Sequence, residues 1–212
     1  LNRHKLSSVF NSESIISDVK PDPTFESCQK AINSVEITRF DGVVAIGGGS
    51  VMDTAKVVIA SMGTEIYDFP ELLKINTPFR NNIPSIFIPT THGTGSEVTM
   101  WGTIWNITEK KKYSISHPDL YPRVAILDGS LTLTPPMDIS IITVMDAISH
   151  SFEAIWNKNN NPTSTIYATD AIIMILNCVD ALKKNPDDVK IRTKLLLAAN
   201  KAGLAISNTK TA

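Results

Sequence analysis

The chain has 212 residues, 42% hydrophobic and 19% charged, with 20 basic and 21 acidic side chains giving a formal net charge of −1. This is a globular balance over a length that holds one large domain or two small ones. The near-neutral charge argues against a nucleic-acid or membrane-surface partner, no apolar run is expected to reach membrane-spanning length, and Cys28 and Cys178, far apart in sequence, read as free thiols of a reducing cytoplasm.

Pro21-Asp22-Pro23-Thr24 is a loop, and Thr24 with Ser27 starts a helix that runs through Cys28, Ile32 and Val35. Val43–Ile46 is an apolar run expected to be a buried strand. Gly47, Gly48 and Gly49 follow it at once, then Ser50, then a helix over 51–62 that carries Asp53 and Lys56. Val51, Ala55, Val58 and Met62 are predicted to line its one buried face. Glycines without a Cβ let a phosphate approach backbone N–H groups closely, and a helix N-terminus adds free donors and partial positive charge. The stretch therefore suits a dinucleotide diphosphate, or else is an ordinary strand-to-helix turn. Its spacing is neither GxGxxG nor a Walker loop.

Ser85–Ile88 reads as a second buried strand opening into Thr90-Thr91-His92-Gly93-Thr94-Gly95-Ser96-Glu97. That loop offers hydroxyls and N–H groups with little bulk. Thr103–Ile107 and Tyr113–Ser116, flanking Thr108–Lys112, suggest a hairpin. Val124–Leu127 is a short apolar strand. Alternating strands and helices argue for an open α/β domain with ligands at the carboxyl ends of the strands.

Past Pro135-Pro136 the pattern is helical, over 138–156, 163–184 and 189–206, so the domains are placed at 1–136 and 137–212. Asn157–Asn161 is a polar connector too short to be a domain linker, and Asp188 is well placed to start the last helix. Asp146 and His150, four apart, project from one helix face. They are either two ligands of one divalent metal or a surface pair that supports the helix.

Three strings, GGGSVMDTAK, IPTTHGTGSEVT and MDAISHSFEA, closely resemble in order the phosphate turn, the second cofactor loop and the metal-binding helix of the iron-containing alcohol dehydrogenases. The resemblance runs from Pro21 to the end. It implies an α/β nucleotide-binding domain followed by an all-helical metal domain, with the active site between them. Cofactor contacts then fall to Gly48, Gly49, Ser50, Asp53, Thr90, Thr91, Thr94, Ser96 and Lys112. Metal contacts, Fe2+ in the first place and Zn2+ in the second, fall to Asp146 and His150. In the family two later histidines complete the metal site, and an earlier strand and turn read the ribose 2′ position. Both are expected outside this sequence, leaving NAD versus NADP open. Asp53 is expected to order the glycine turn or a cofactor group, and His92 to be a loop histidine near the cofactor.

The implied reaction is hydride transfer between NAD(P)H and an aldehyde or primary alcohol in a cytoplasmic enzyme, a homodimer or larger. Gly102-Thr103-Ile104-Trp105, KKKYSISHPDLYP and SNTKTA look most similar to phosphonoacetaldehyde reductases. That similarity implies substrate contacts at Trp101, Trp105 and Lys210, with Lys210 the candidate anchor for a dianion. The alternatives are a general short-chain alcohol dehydrogenase, a dehydroquinate synthase type (disfavoured by Asp146 where that type has Glu), and a non-catalytic nucleotide-binding fragment.

Overall fold

The computed structural model describes residues 10, 14–36, 40–76 and 78–211. Helix α1 (Phe25–Glu36) leads into strand β1 (Val43–Gly47), helix α2 (Gly49–Thr64) and a single turn α3 (Phe69–Leu72). Strand β2 (Ser85–Pro89) precedes an antiparallel pair, β3 (Trp101–Asn106) and β4 (Lys111–Ser116), and a short β5 (Val124–Ala125). Three long helices follow: α4 (Met137–Trp156), α5 (Pro162–Lys184) and α6 (Val189–Thr209). This is a parallel α/β part followed by an all-helical part, an incomplete version of the two-domain fold the sequence resembles.

The parallel sheet has the order β1-β2-β5. Its register pairs Gly47 with Pro89, so β1 and β2 end side by side and their loops leave the same edge together. Thr90 N–H donates to Gly47 O at 3.0 Å across that edge. Two sequence expectations need correction here. Only Ala45 of β1 is buried, and Val44 is 41% exposed; among the described residues β1 pairs with β2 alone. The strand expected over 124–127 closes after Ala125, and Val124 and Ile126 stay about as exposed as Val44.

Helix α2 departs further from expectation. Every residue from Thr54 to Thr64 is buried, not one stripe, because α1, α3, β1 and β3 all pack against it. Met52, Ala55, Val57, Ile59 and Ala60 join Ala45, Phe87, Ile104 and Ile115 in the main core, and Val58 and Met62 pack with Ala31 and Val35 of α1. The hairpin forms as read, with Trp105 opposite Lys112.

In the helical part α4, α5 and α6 pack on one another through Val144, Ala147, Ala171, Ile175, Leu182, Leu195, Ala198, Ala199 and Ala202. The many alanines let the helix axes approach closely. Local signals set the helix starts. Thr24 and Ser27 bond each other's backbone N–H, Asn161 and Ser164 form a capping box, and Asp188 accepts from Lys190 and Ile191 N–H. By length and composition alone α5 is apolar enough to cross a membrane, against the expectation from sequence. It packs instead as a bundle helix whose Asp170 is paired with Lys201 of α6.

Two glycines fasten the helical part to the sheet edge. A Cβ on Gly95 would lie 2.5 Å from the Gly203 Cα of α6, and Gly95 itself has φ +61°. Any side chain at either position would push α6 off the Thr/Gly loop.

Candidate active-site cleft

Where β1 and β2 end, a cleft of about 720 Å³ opens between the sheet edge, the hairpin and α4. It collects residues far apart in sequence: Gly48, Gly49, Ser50, Asp53, Thr91, Thr94, Ser96, Trp101, Trp105, Lys112, Asp146 and His150 all line it. Each was singled out from sequence. Thr90 and Lys210 were too, and neither is among the lining residues. Thr90 uses its backbone N–H on Gly47 O. Lys210 caps α6 in a left-handed conformation, φ 56°, with its side chain exposed to solvent.

The glycine turn is tight against the second loop. A Cβ on Gly49 would sit 2.5 Å from Thr94 Cγ2, and one on Gly48 would be 3.3 Å from Thr91. Gly48 caps α2 without any side-chain bond, so the N–H groups of the first helical turn have no capping side chain to satisfy them. A cradle this close, closed to any Cβ and lined by donors, fits a diphosphate.

On the opposite wall Asp146 Oδ1 and His150 Nε2 are 3.6 Å apart. Two ligands of one ion with bonds of about 2.0–2.2 Å stand at such a separation, so the pair fits two positions of a divalent cation. Among the described residues no third His, Cys, Asp or Glu joins them. His150 Nδ1 is buried without a partner. Gly93 brings the loop against this wall, its missing Cβ 3.0 Å from Thr143 and 3.1 Å from Asp146 Oδ2.

Behind the cleft lies a buried charge network that sequence reading missed. Lys56 is 0% exposed, and its Nζ donates to Ser96 Oγ at 2.7 Å, Thr99 Oγ1 at 2.9 Å and Trp101 O at 2.6 Å. Burial pushes its pKa down to about 8 against the pull of Asp53 and Glu97. Asp53 accepts from Ser96 Oγ at 2.8 Å and from Thr103 N–H at 3.0 Å. It therefore braces the second loop and β3; of the two roles expected for it, ordering the glycine turn or a cofactor group, its hydrogen bonds do not reach the glycine turn, while it does line the cleft. Glu97 accepts from Asn200 of α6 at 2.9 Å. Burial raises both carboxyls, which Lys56, among other partners, opposes. The available signal was a lysine set between Ala55 and Val57 in an otherwise apolar run.

His92 corrects another expectation. It lies away from the cleft lining, 1% exposed, with neither ring nitrogen hydrogen-bonded. Burial first, and then the Arg192 guanidinium, hold its pKa down to about 4. Arg192 is itself buried and donates to Thr132 O, Pro186 O and Ser140 Oγ. Of the other histidines, His117 stacks on Phe79 and His4 lies outside the described residues. Cys28 is buried, its thiol pushed up to about 12, and Cys178 is buried too.

The model of the iron-containing alcohol dehydrogenases matches residues 4–129, and that of the C-terminal region of the Fe-containing alcohol dehydrogenase family matches residues 140–212. Long-chain-alcohol dehydrogenase 1 of Geobacillus thermodenitrificans is 35% identical over 92% of the chain and 49% of its own length. NAD-dependent methanol dehydrogenase of Bacillus methanolicus is 32% identical over 92% of the chain and 51% of its own length. The chain thus spans about half the length of the curated relatives it matches. Among solved structures, an iron-containing alcohol dehydrogenase of Thermotoga maritima superposes with a TM-score of 0.83 at 29% identity, over 93% of this chain and 54% of that one. Sulfoacetaldehyde reductase of Bifidobacterium kashiwanohense in complex with NAD+ gives 0.81 at 30% identity, over 89% and 50%. With matching family models over both its α/β and its helical part, this chain belongs to the iron-containing alcohol dehydrogenase family.

Proposed function

We propose that the chain is the cofactor-binding and metal-binding part of an NAD(P)-linked, metal-dependent oxidoreductase that interconverts an aldehyde and a primary alcohol. The observation that carries this reading is the single cleft in which the glycine turn and the Asp146–His150 pair face each other. The division of labour falls between residues 1–136 and 137–212. Backbone N–H groups at Gly48, Gly49 and Ser50 hold the diphosphate. The hydroxyls of Thr91, Thr94 and Ser96 meet the nicotinamide ribose, with Ser96 held in place by Asp53 and Lys56. Trp101 and Trp105 wall the substrate end, and Lys112 adds a cation at the rim. Asp146 and His150 hold the divalent ion, which when bound supplies Lewis acidity to the substrate oxygen. The protein's part is to align the two reactants and exclude water.

The finer substrate proposal is phosphonoacetaldehyde, reduced to 2-hydroxyethylphosphonate. Its support is the subgroup-like sequence context, Lys112 on the cleft wall and the similarity to a reductase of another anionic aldehyde.

Calorimetric titration with Zn2+, and with Fe2+ under nitrogen, tests the metal site, and NADH fluorescence tests the cofactor site. Asp146→Ala and His150→Ala should each weaken metal binding by at least about tenfold, as expected for loss of a ligand. NADH affinity should stay within about threefold, since neither residue joins the diphosphate cradle. Unchanged metal affinity in both variants overturns the metal assignment. An assay of propanal against phosphonoacetaldehyde decides the substrate proposal, and equal kcat/KM values for the two refute it.

A further inference from the structure

Helix α4 has three faces, and two are engaged. Ser140, Val144, Ala147, Ser151 and Ala154 are buried in the helical part. Thr143, Asp146, His150 and Glu153 line the cleft. The third face carries Ile142, Met145, Phe152 and Trp156, from 38% exposed at Phe152 to 76% at Trp156, with the exposed Ser149 among them. Spaced three and four residues apart, these five positions form one stripe along the helix, opposite the buried one. The Phe152 and Trp156 rings stack with centroids 5.3 Å apart. Four large apolar side chains at that exposure amount to roughly 400 Å², a patch of the size that marks an interaction site.

The stripe is its own complement. Ile142 and Trp156 stand seven residues either side of Ser149, with Met145 and Phe152 between. An identical helix turned end for end would set Trp156 against Ile142 and Phe152 against Met145, with the small Ser149 at the two-fold axis where the helices come closest. The ends agree in charge. Asp138 stands in the first turn of α4, and Lys158 lies two residues past its last, both exposed. The Asp138 carboxylate accepts only from the adjacent Ile139 N–H, and among the described residues the Lys158 ammonium has no hydrogen-bond or ion-pair partner. Antiparallel pairing would bring Asp138 of one copy near Lys158 of the other and align the helix dipoles favourably, whereas parallel pairing would set each charge against its like.

We propose that the Ile142–Trp156 face of α4 is the docking surface for a second copy of this chain, paired antiparallel about Ser149. The patch of roughly 400 Å² per copy falls below the ~800 Å² that each partner buries in a standard stable pair, so the dimer is weak, with Kd in the micromolar range. No metal ligand and no residue of the glycine turn takes part in the pairing, so its failure leaves the cofactor and metal sites standing.

Sedimentation velocity on the 212-residue chain, from micromolar to submillimolar concentration, tests it, with circular dichroism to check that each variant is folded. The wild type should pass from monomer to dimer across that range. Ile142→Glu would bury a carboxylate against Trp156 and should raise Kd by at least about tenfold, and Met145→Gln by about threefold. Asp138→Lys should raise Kd by about three- to fivefold by setting like charges together, and adding Lys158→Asp should restore the wild-type value. A chain that stays monomeric throughout overturns the proposal and leaves the face to another occupant, such as a further segment of the longer family unit. A dimer whose Kd neither Ile142→Glu nor Met145→Gln moves by twofold overturns it too, as does growth past the dimer. If Ile142→Glu does not fold, Met145→Gln decides alone. A double charge reversal that recovers nothing refutes the antiparallel pairing.

Discussion

Lys56→Met tests the buried network behind the cleft. Methionine fills the volume of the lysine stem but removes the cation and three donated hydrogen bonds, to Ser96, Thr99 and Trp101. Asp53 and Glu97 are then left buried without their common counter-charge. Removing one partner of a buried ion pair costs about 3–5 kcal/mol. In a chain of this length each kcal/mol is worth about 2–4 °C, so Tm should fall by roughly 6–20 °C. The pH dependence is more specific. Burial raises the folded-state pKa values of Asp53 and Glu97, so the stability these carboxyls contribute is fully present below about pH 4 and is lost as pH rises through their folded values. Without Lys56 those values rise further and the loss deepens. The depressed pKa of Lys56 acts in the same direction, because the folded wild type releases its proton near 8 while the unfolded chain keeps it to about 10.5. The stability difference between wild type and Lys56→Met should therefore be small at pH 4 and grow steadily to pH 8 and above. Urea unfolding at several pH values, followed by tryptophan fluorescence, measures it. A difference that does not vary with pH, or one under about 1 kcal/mol at pH 7, refutes the reasoning, since it would equal that of an ordinary exposed pair.

Two further predictions follow from the geometry of the Thr/Gly loop. His92 has a folded pKa near 4 against 6.5 unfolded, so the wild type should lose stability as pH falls from 6.5 to 4, by roughly 3 kcal/mol in all. His92→Leu should abolish that loss without forfeiting any hydrogen bond, and an unchanged acid limb in thermal melts at pH 4–7 would contradict it. Gly49→Ala places a Cβ into Thr94 and should weaken NADH binding by tenfold or more, about 1.4 kcal/mol, by displacing the loop. Because the obstacle is a side chain, adding Thr94→Ala should recover part of the affinity. If the double variant binds no better than Gly49→Ala, the clash with Thr94 is not the cause.

Much of the local structure was legible in the chain itself. The strand, glycine turn and helix over 43–64, the helix starts at Thr24 and Asp188, the hairpin, and three helix spans within a few residues of those observed depend on near neighbours in sequence. The four-residue spacing of Asp146 and His150 is likewise a local property, since helix pitch alone puts them on one face. Position in the tertiary structure decided the rest. Sequence could not show that α2 would be enclosed on all sides with Lys56 inside. It gave no sign that Asp53 reaches a loop 43 residues away, or that His92 is buried within electrostatic reach of Arg192, 100 residues later. Lys210 was singled out by its neighbours in sequence, and the fold places it at the left-handed cap of α6, exposed and outside the cleft lining. The Gly95–Gly203 contact that seats the helical part on the sheet edge has no local signature at all. Local propensity acts over a few residues, while burial and charge pairing depend on surfaces that exist only once the elements pack.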